Sequence, residues 1–207
     1  MKEIVLEMGT KVQLEKIYDQ LQNLYEAVAK DLDFSCTGCP DNCCDSYFLH
    51  HTYVEWAYLW YGFSQLEPSR QQEIQKRARA YLLECERMEA RGERPQVMCP
   101  LIENGRCGLY QYRMLVCRTH GVPAKMIRPD GQTLHFPGCF RCQEVVEKLD
   151  SPSLCPSVDR TPLLKQLVLL ENELLDGKRH LYPKVRLTIA EMLIKGPPAL
   201  PFSHCDR

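Results

Sequence analysis

Four cysteines fall within nine residues, Cys36-x2-Cys39-x3-Cys43-Cys44, and no other feature constrains the chain as strongly. The run is set among Pro, Gly, Asp and Asn, so it reads as a loop rather than helix or strand. Sulfur at that density has few uses besides gripping a metal ion or a metal–sulfur cluster. A second set follows in Cys99, Cys107, Cys117, Cys139 and Cys142, while Cys85, Cys155 and Cys205 stand apart. Twelve cysteines would also satisfy six disulfides. Two arguments weigh against that pairing. At 207 residues the chain can bury a core without covalent staples. Adjacent Cys43 and Cys44 project their side chains apart, and few folds offer each a partner.

Charges run through residues 1–16, which therefore lack the apolar stretch of a secretory signal. No apolar run approaches the roughly 20 residues of a membrane span. A cytoplasmic protein is expected, in a compartment that keeps thiols reduced and favours metal binding by clustered cysteines. The 26 basic and 27 acidic residues nearly cancel, so neither nucleic acid nor an anionic membrane is an expected partner. Lys76, Arg77 and Arg79 read as the solvated face of a helix. A protein or small-molecule partner is left open.

Apolar periodicity and capping signals predict a mainly α fold. It is expected as a single compact domain of about five helices over residues 1–207, with two cysteine-rich irregular loop regions and a small β-hairpin. The first helix should begin near Thr10, where Thr10-x-x-Gln13 forms a capping box. Leu14, Ile17, Leu21, Leu24 and Val28 make its core stripe, which Tyr18 and Tyr25 widen. A second helix starts at Thr52, and there Glu55 reads as a cap partner rather than a general acid or base. Tyr53, Trp56 and Trp60 lie on one face of it. A third follows Pro68, with Ser69-x-x-Gln72 at its start and Gly92 and Pro95 at its stop. Cys85 shares its apolar stripe with Ile74, Ala78, Tyr81 and Met88, as a small buried hydrophobe. Residues 96–142 look irregular apart from a hairpin turn at Pro129-Asp130-Gly131. A C-terminal helical pair within 159–195 runs from about Pro162 to Gly177 and from about Lys184 to Lys195, and 196–207 reads as an extended tail.

Zinc and iron–sulfur clusters both accept four thiolates, so both stand as candidate cofactors. The x2-then-x3 spacing is the reverse of the radical S-adenosylmethionine order. Because Cys43 and Cys44 diverge, they should serve two centres, or one should ligate while the other supports or resolves it. The loops around 36–44 and 99–142 are expected to meet and share a site.

The run Cys36-x2-Cys39-x3-Cys43-Cys44, followed by Cys99-Pro100-Leu101, Gly105-Arg106-Cys107, Tyr110 and Cys117-Arg118, resembles the YkgJ-type cysteine-cluster family. That family is described as a zinc- or iron-chelating domain with a CxxCxxCC signature, and the resemblance covers about residues 30–145. It implies a metal-binding set of Cys36, Cys39, Cys43, Cys44, Cys99, Cys107, Cys117 and Cys139, with Cys142 the alternative to Cys139. The chain departs from the pattern in having three residues before the doublet. It also carries Arg113-Met114 where the family has Arg-Pro ahead of its Cys-Arg pair. Flagellin lysine N-methylases carry a related cluster on longer chains.

Three functions follow as expectations. The first is an iron–sulfur protein in electron transfer or another redox reaction. The second is a zinc-stabilised interaction module without catalysis, and the third a methylase-related enzyme. His120, close after Cys117, is a candidate mixed-site ligand, as are His50 and His51 after the first cluster. His135, His180 and His204 read as ordinary side chains. Arg113 and Arg118 read as supports of the thiolate loops. No hydrolase elbow, zinc-protease helix, phosphate loop or dinucleotide fingerprint occurs.

Overall fold

The computed structural model describes residues 2–36, 43–149, 151 and 154–200, and of Cys43 the backbone alone. In chain order its elements are β1 (Lys2–Glu3), α1 (Met8–Asp31), α2 (Tyr53–Ser64), α3 (Pro68–Ala90), β2 (Ile102–Glu103) and β3 (Arg106–Cys107). They continue with α4 (Leu115–Thr119), β4 (Ala124–Ile127), β5 (Thr133–Phe136), α5 (Phe140–Val146), β6 (Val158–Asp159), α6 (Thr161–Leu174), α7 (Ile189–Lys195) and β7 (Ala199–Leu200). The protein is mainly α, as periodicity predicts. Seven α-helices stand among the described residues where about five are expected, because the short α4 and α5 form inside the stretch that reads as irregular. None of these helices is long and apolar enough to cross a membrane.

Two compact units divide the chain. The first comprises residues 1–11, 44–114 and 171–207; the second comprises 12–43 and 115–170.

In the first unit α2 is buried almost all round, from Tyr53 to Phe63, as a helix apolar on every face must be. Its N-terminus is capped as expected. The Thr52 hydroxyl accepts the Glu55 N–H at 3.3 Å and donates to the Glu55 carboxylate at 2.9 Å. A second cap comes from Glu171, whose two oxygens accept the N–H groups of Tyr53 and Val54, each at 2.9 Å. Against this helix the core gathers Ile74, Ala78, Tyr81 and Cys85 of α3, with Ala190, Met192 and Leu193 of α7. Cys85 is buried on the predicted stripe.

Several expectations are corrected. The cap of α3 is Glu67 with Pro68 as first helical residue, not Ser69, since proline's missing N–H costs nothing there. Arg77 is no solvated cation: it donates to the Ile102 carbonyl at 3.0 Å and pairs with Glu103 at 2.7 Å, clamping β2 and β3. The last helix starts at Ile189 rather than Lys184. Leu187 is engaged by His50 through two backbone hydrogen bonds, and the Thr188–Glu191 capping box sets the start. Nor is 196–200 an extended tail, because β7 pairs antiparallel with β1 and Pro198 accepts the Ile4 N–H at 2.8 Å. His204 and Cys205 lie outside the described residues.

His50 is buried, and neither ring nitrogen has a hydrogen-bond partner among the described residues. Burial, then the neighbouring His51, pushes its pKa down to about 3. The unfolded chain binds this proton near pH 6.5, so the contribution to stability is full above that value and is lost as pH falls toward 3. Between pH 7 and pH 5 the loss should be about 2 kcal/mol in urea unfolding, and His50→Leu should abolish it. Parallel pH profiles for the two proteins would contradict the assignment.

In the second unit Leu14, Ile17, Tyr18, Leu21 and Val28 of α1 are buried, while Leu24, at the edge of the stripe, is 42% exposed. The helix starts at Met8 rather than Thr10, for the Lys11 N–H already bonds the Glu7 carbonyl at 2.9 Å. β4 and β5 form the expected hairpin across Pro129-Asp130-Gly131, with Gly131 at φ +84. β6 adds parallel to β4, giving the order β5-β4-β6.

Candidate functional site

The described cysteines are all thiols, and they fall into two sets, one in each unit. In the first unit Cys44 opens the set. Its carbonyl accepts the Cys99 N–H at 3.0 Å, which brings two remote stretches of chain together. The Cys99 carbonyl then accepts the Ile102 N–H at 3.0 Å, and Ile102 faces Cys107 across the β2–β3 hairpin. Glu103 fixes this hairpin by ion pairs to Arg70 at 2.6 Å and Arg77 at 2.7 Å. Those guanidinium groups hold the Glu103 carboxyl below the usual range.

Burial pushes the Cys99 thiol up to about 12; the Leu101 backbone opposes this, Cys107 adds to it, and Arg77 opposes it. Cys85 lies near the same set, its thiol raised by burial and lowered by its hydrogen bond to Tyr81. Cys107 also lines an open cavity of about 570 Å³ with Arg70, Asn104 and Arg106.

In the second unit the set is built around Tyr25. Its hydroxyl lies 3.7 Å from the Cys36 sulfur and packs so closely on Gly121 that a Cβ there would collide with it. The Gly121 carbonyl accepts the Cys139 N–H at 2.9 Å. Cys139 is the N-cap of α5 and Cys142 sits in its first turn. Burial pushes the Cys142 thiol up to about 12, and Cys139, Cys155 and Cys36 add to the rise in that order. Burial, followed by the hydrogen bond to Cys36, likewise lifts the Tyr25 hydroxyl above the usual phenol range. Cys155 donates to the Pro156 carbonyl at 3.3 Å.

Cys117 lies on α4 in this unit, half-buried. The Arg118 guanidinium beside it covers the Tyr18 ring at 4.3 Å. In the first unit Arg113 covers Tyr110 at 3.7 Å. Both arginines thus pack on aromatic faces beside the cysteine loops.

Of the predicted ligands, Cys44, Cys99 and Cys107 lie in the first unit, where backbone hydrogen bonds and the β2–β3 hairpin link the stretches that carry them, and Cys36, Cys117 and Cys139 lie in the second. Cys39 and the Cys43 side chain lie outside the described residues. His51 is engaged with the Val185 carbonyl at 3.3 Å, and His50 is buried without a hydrogen-bond partner among the described residues. Sequence reasoning missed Tyr25, which reads only as widening the core stripe of the first helix. The place of Cys142 beside Cys139 was readable from their C-x2-C spacing.

Thiol donors suit zinc or an iron–sulfur cluster in chemical kind. Among the described residues, however, no group of three or more His, Cys, Asp or Glu side chains is arranged to hold a metal ion. The described donors therefore do not complete a ligand sphere by themselves. Compared with known proteins, the chain matches no family model, no curated protein and no solved structure.

Proposed function

We propose that this is a metal-binding cysteine-cluster protein of the YkgJ type, carrying an iron–sulfur cluster for electron transfer or another redox reaction. The proposed ligands are Cys36, Cys39, Cys43, Cys44, Cys99, Cys107, Cys117 and Cys139. One observation supports this above all: remote cysteine-bearing stretches meet within each unit, the Cys44 backbone bonding that of Cys99 beside Cys107, and Cys36 and Cys139 lying near Cys142. Such convergence is what a metal site demands and what an ordinary core does not. The division between the units falls between Cys43 and Cys44. That accords with two divergent neighbours serving different centres.

An iron–sulfur cluster bound by these thiols supplies one-electron transfer. The chain's own part is to hold the thiols on fixed loops and shield them. The β2–β3 clamp of Arg70, Arg77 and Glu103 fixes Cys107. The seat of Tyr25 on Gly121 fixes the turn whose carbonyl holds the Cys139 N–H.

Metal removal tests the proposal. Structural zinc sites in model peptides are worth about 10–16 kcal/mol, comparable with the whole stability of a domain. Chelation should therefore accelerate proteolysis at residues 36–44 and 99–142, and Cys99→Ser or Cys36→Ser should lower the metal content. Unchanged cleavage and unchanged metal would contradict it. Zinc alone, with no redox activity, would instead favour a non-catalytic interaction module. Binding of S-adenosylmethionine would turn the reading toward a methylase.

A further inference from the structure

The pair at the start of α5 has a property that metal binding does not require. Cys139 and Cys142 stand three residues apart, at the N-cap and in the first turn, so their side chains share one side of the helix. The Cys139 backbone is extended, as an N-cap's is, which turns its side chain back over the first turn toward Cys142, and a disulfide needs Cβ atoms about 3.8 Å apart. Their exposure differs sharply. Cys139 is partly exposed, whereas Cys142 is 0% exposed.

The backbone that carries them is tied down on both sides. The Cys139 N–H bonds the Gly121 carbonyl at 2.9 Å, its carbonyl accepts the Gln143 N–H at 3.0 Å, and the Gln143 side chain donates to the Gly138 carbonyl at 3.1 Å. An accessible thiol is thus held beside a hidden one.

We propose that Cys139 and Cys142 form a thiol–disulfide exchange site acting on small-molecule disulfides such as oxidised glutathione. Cys139, the reachable member, loses its proton and attacks one sulfur of the disulfide. The substrate S–S bond breaks, a Cys139 mixed disulfide forms, and the departing thiolate takes up a proton. Cys142 then loses its proton and attacks the Cys139 sulfur, closing the Cys139–Cys142 bond and expelling the second thiolate, which is protonated in turn. Two protein thiols are oxidised and one disulfide is reduced to two thiols, so atoms and electrons balance. The hidden thiol cannot react first, because only an intramolecular partner reaches it.

Cys139 also belongs to the proposed metal ligands, but the exchange chemistry does not need the metal. The full-length protein, both as isolated and after chelation, is treated with oxidised glutathione under argon, quenched with acid and mapped by peptide mass spectrometry. Iron and zinc are measured on the same samples, so failure of the metal reading is seen separately. A Cys139–Cys142 disulfide in either preparation, with two equivalents of glutathione released, is the expected result. Cys142→Ser should stop at glutathionylated Cys139 and release one equivalent. In the wild type after chelation, alkylation of Cys142 should lag that of Cys139 by at least about tenfold, as access dictates. No Cys139–Cys142 bond in either preparation, a Cys36–Cys139 bond in its place, or equal alkylation of the two thiols would overturn the proposal.

Discussion

Replacing Glu171 with alanine should destabilise the protein by about 3–5 kcal/mol, since two buried N–H donors lose their acceptor at about 1–3 kcal/mol each. The Glu171 side chain is 4% exposed, and it carries three interactions at once. Its two oxygens take the Tyr53 and Val54 N–H groups, the otherwise unsatisfied donors that open α2, each at 2.9 Å. Arg179 approaches the same carboxylate at 3.3 Å. Truncation leaves the helix start without its second cap and removes the carboxylate beside Arg179, which keeps its hydrogen bonds to the Tyr182 and Pro183 carbonyls and lies over the Tyr53 ring at 5.7 Å. Glu171→Gln keeps an acceptor oxygen but not the charge, and should cost about 1–2 kcal/mol. Urea unfolding at pH 7 reads both. Equal, small losses would mean that Thr52 alone suffices to start α2.

Gly138→Ala should cost about 3 kcal/mol, combining roughly 1–2 for a left-handed backbone with a side chain and 1–3 for overpacking. Gly138 sits at φ +86, and an added Cβ would meet the Gly121 carbonyl oxygen at 2.5 Å and the backbone of Val122 at 3.0 Å. Those are backbone atoms, which cannot swing aside as a flexible side chain would. The matched control is Gly131→Ala, at φ +84 with nothing near its Cβ, which should cost only about 1 kcal/mol. Because Gly138 precedes Cys139, the damage should be local as well: Cys142 should become alkylated faster in Gly138→Ala than in the wild type. Equal costs for the two alanines would show that the close approach does not matter.

Sequence signals served well where the determining interaction is local. Thr52 reaches only to Glu55, and Pro129-Asp130-Gly131 turns the chain between neighbouring strands. They failed where a distant residue decides. Residues 184–188 carry a helical pattern, but the backbone of His50 engages Leu187 in an extended bridge and delays the helix to Ile189. Arg77 looks like one cation on a polar face, and only the placement of Glu103 draws it to the β2–β3 hairpin.

The same distinction governs the thiols. Cysteine density marks the chemistry in the sequence, whereas the grouping depends on tertiary structure. Nothing in the spacing tells that Cys44 meets Cys99, or that Tyr25 joins Cys36 to the turn holding Cys139. Even the two cysteines of the doublet are assigned to different units.

The central claim is that these thiols hold an iron–sulfur cluster, and elemental analysis with an absorption spectrum on oxygen-free material tests it most directly. Brown protein with iron and acid-labile sulfide in proportion is the predicted result. Colourless protein, whether it carries stoichiometric zinc or no metal at all, would contradict it.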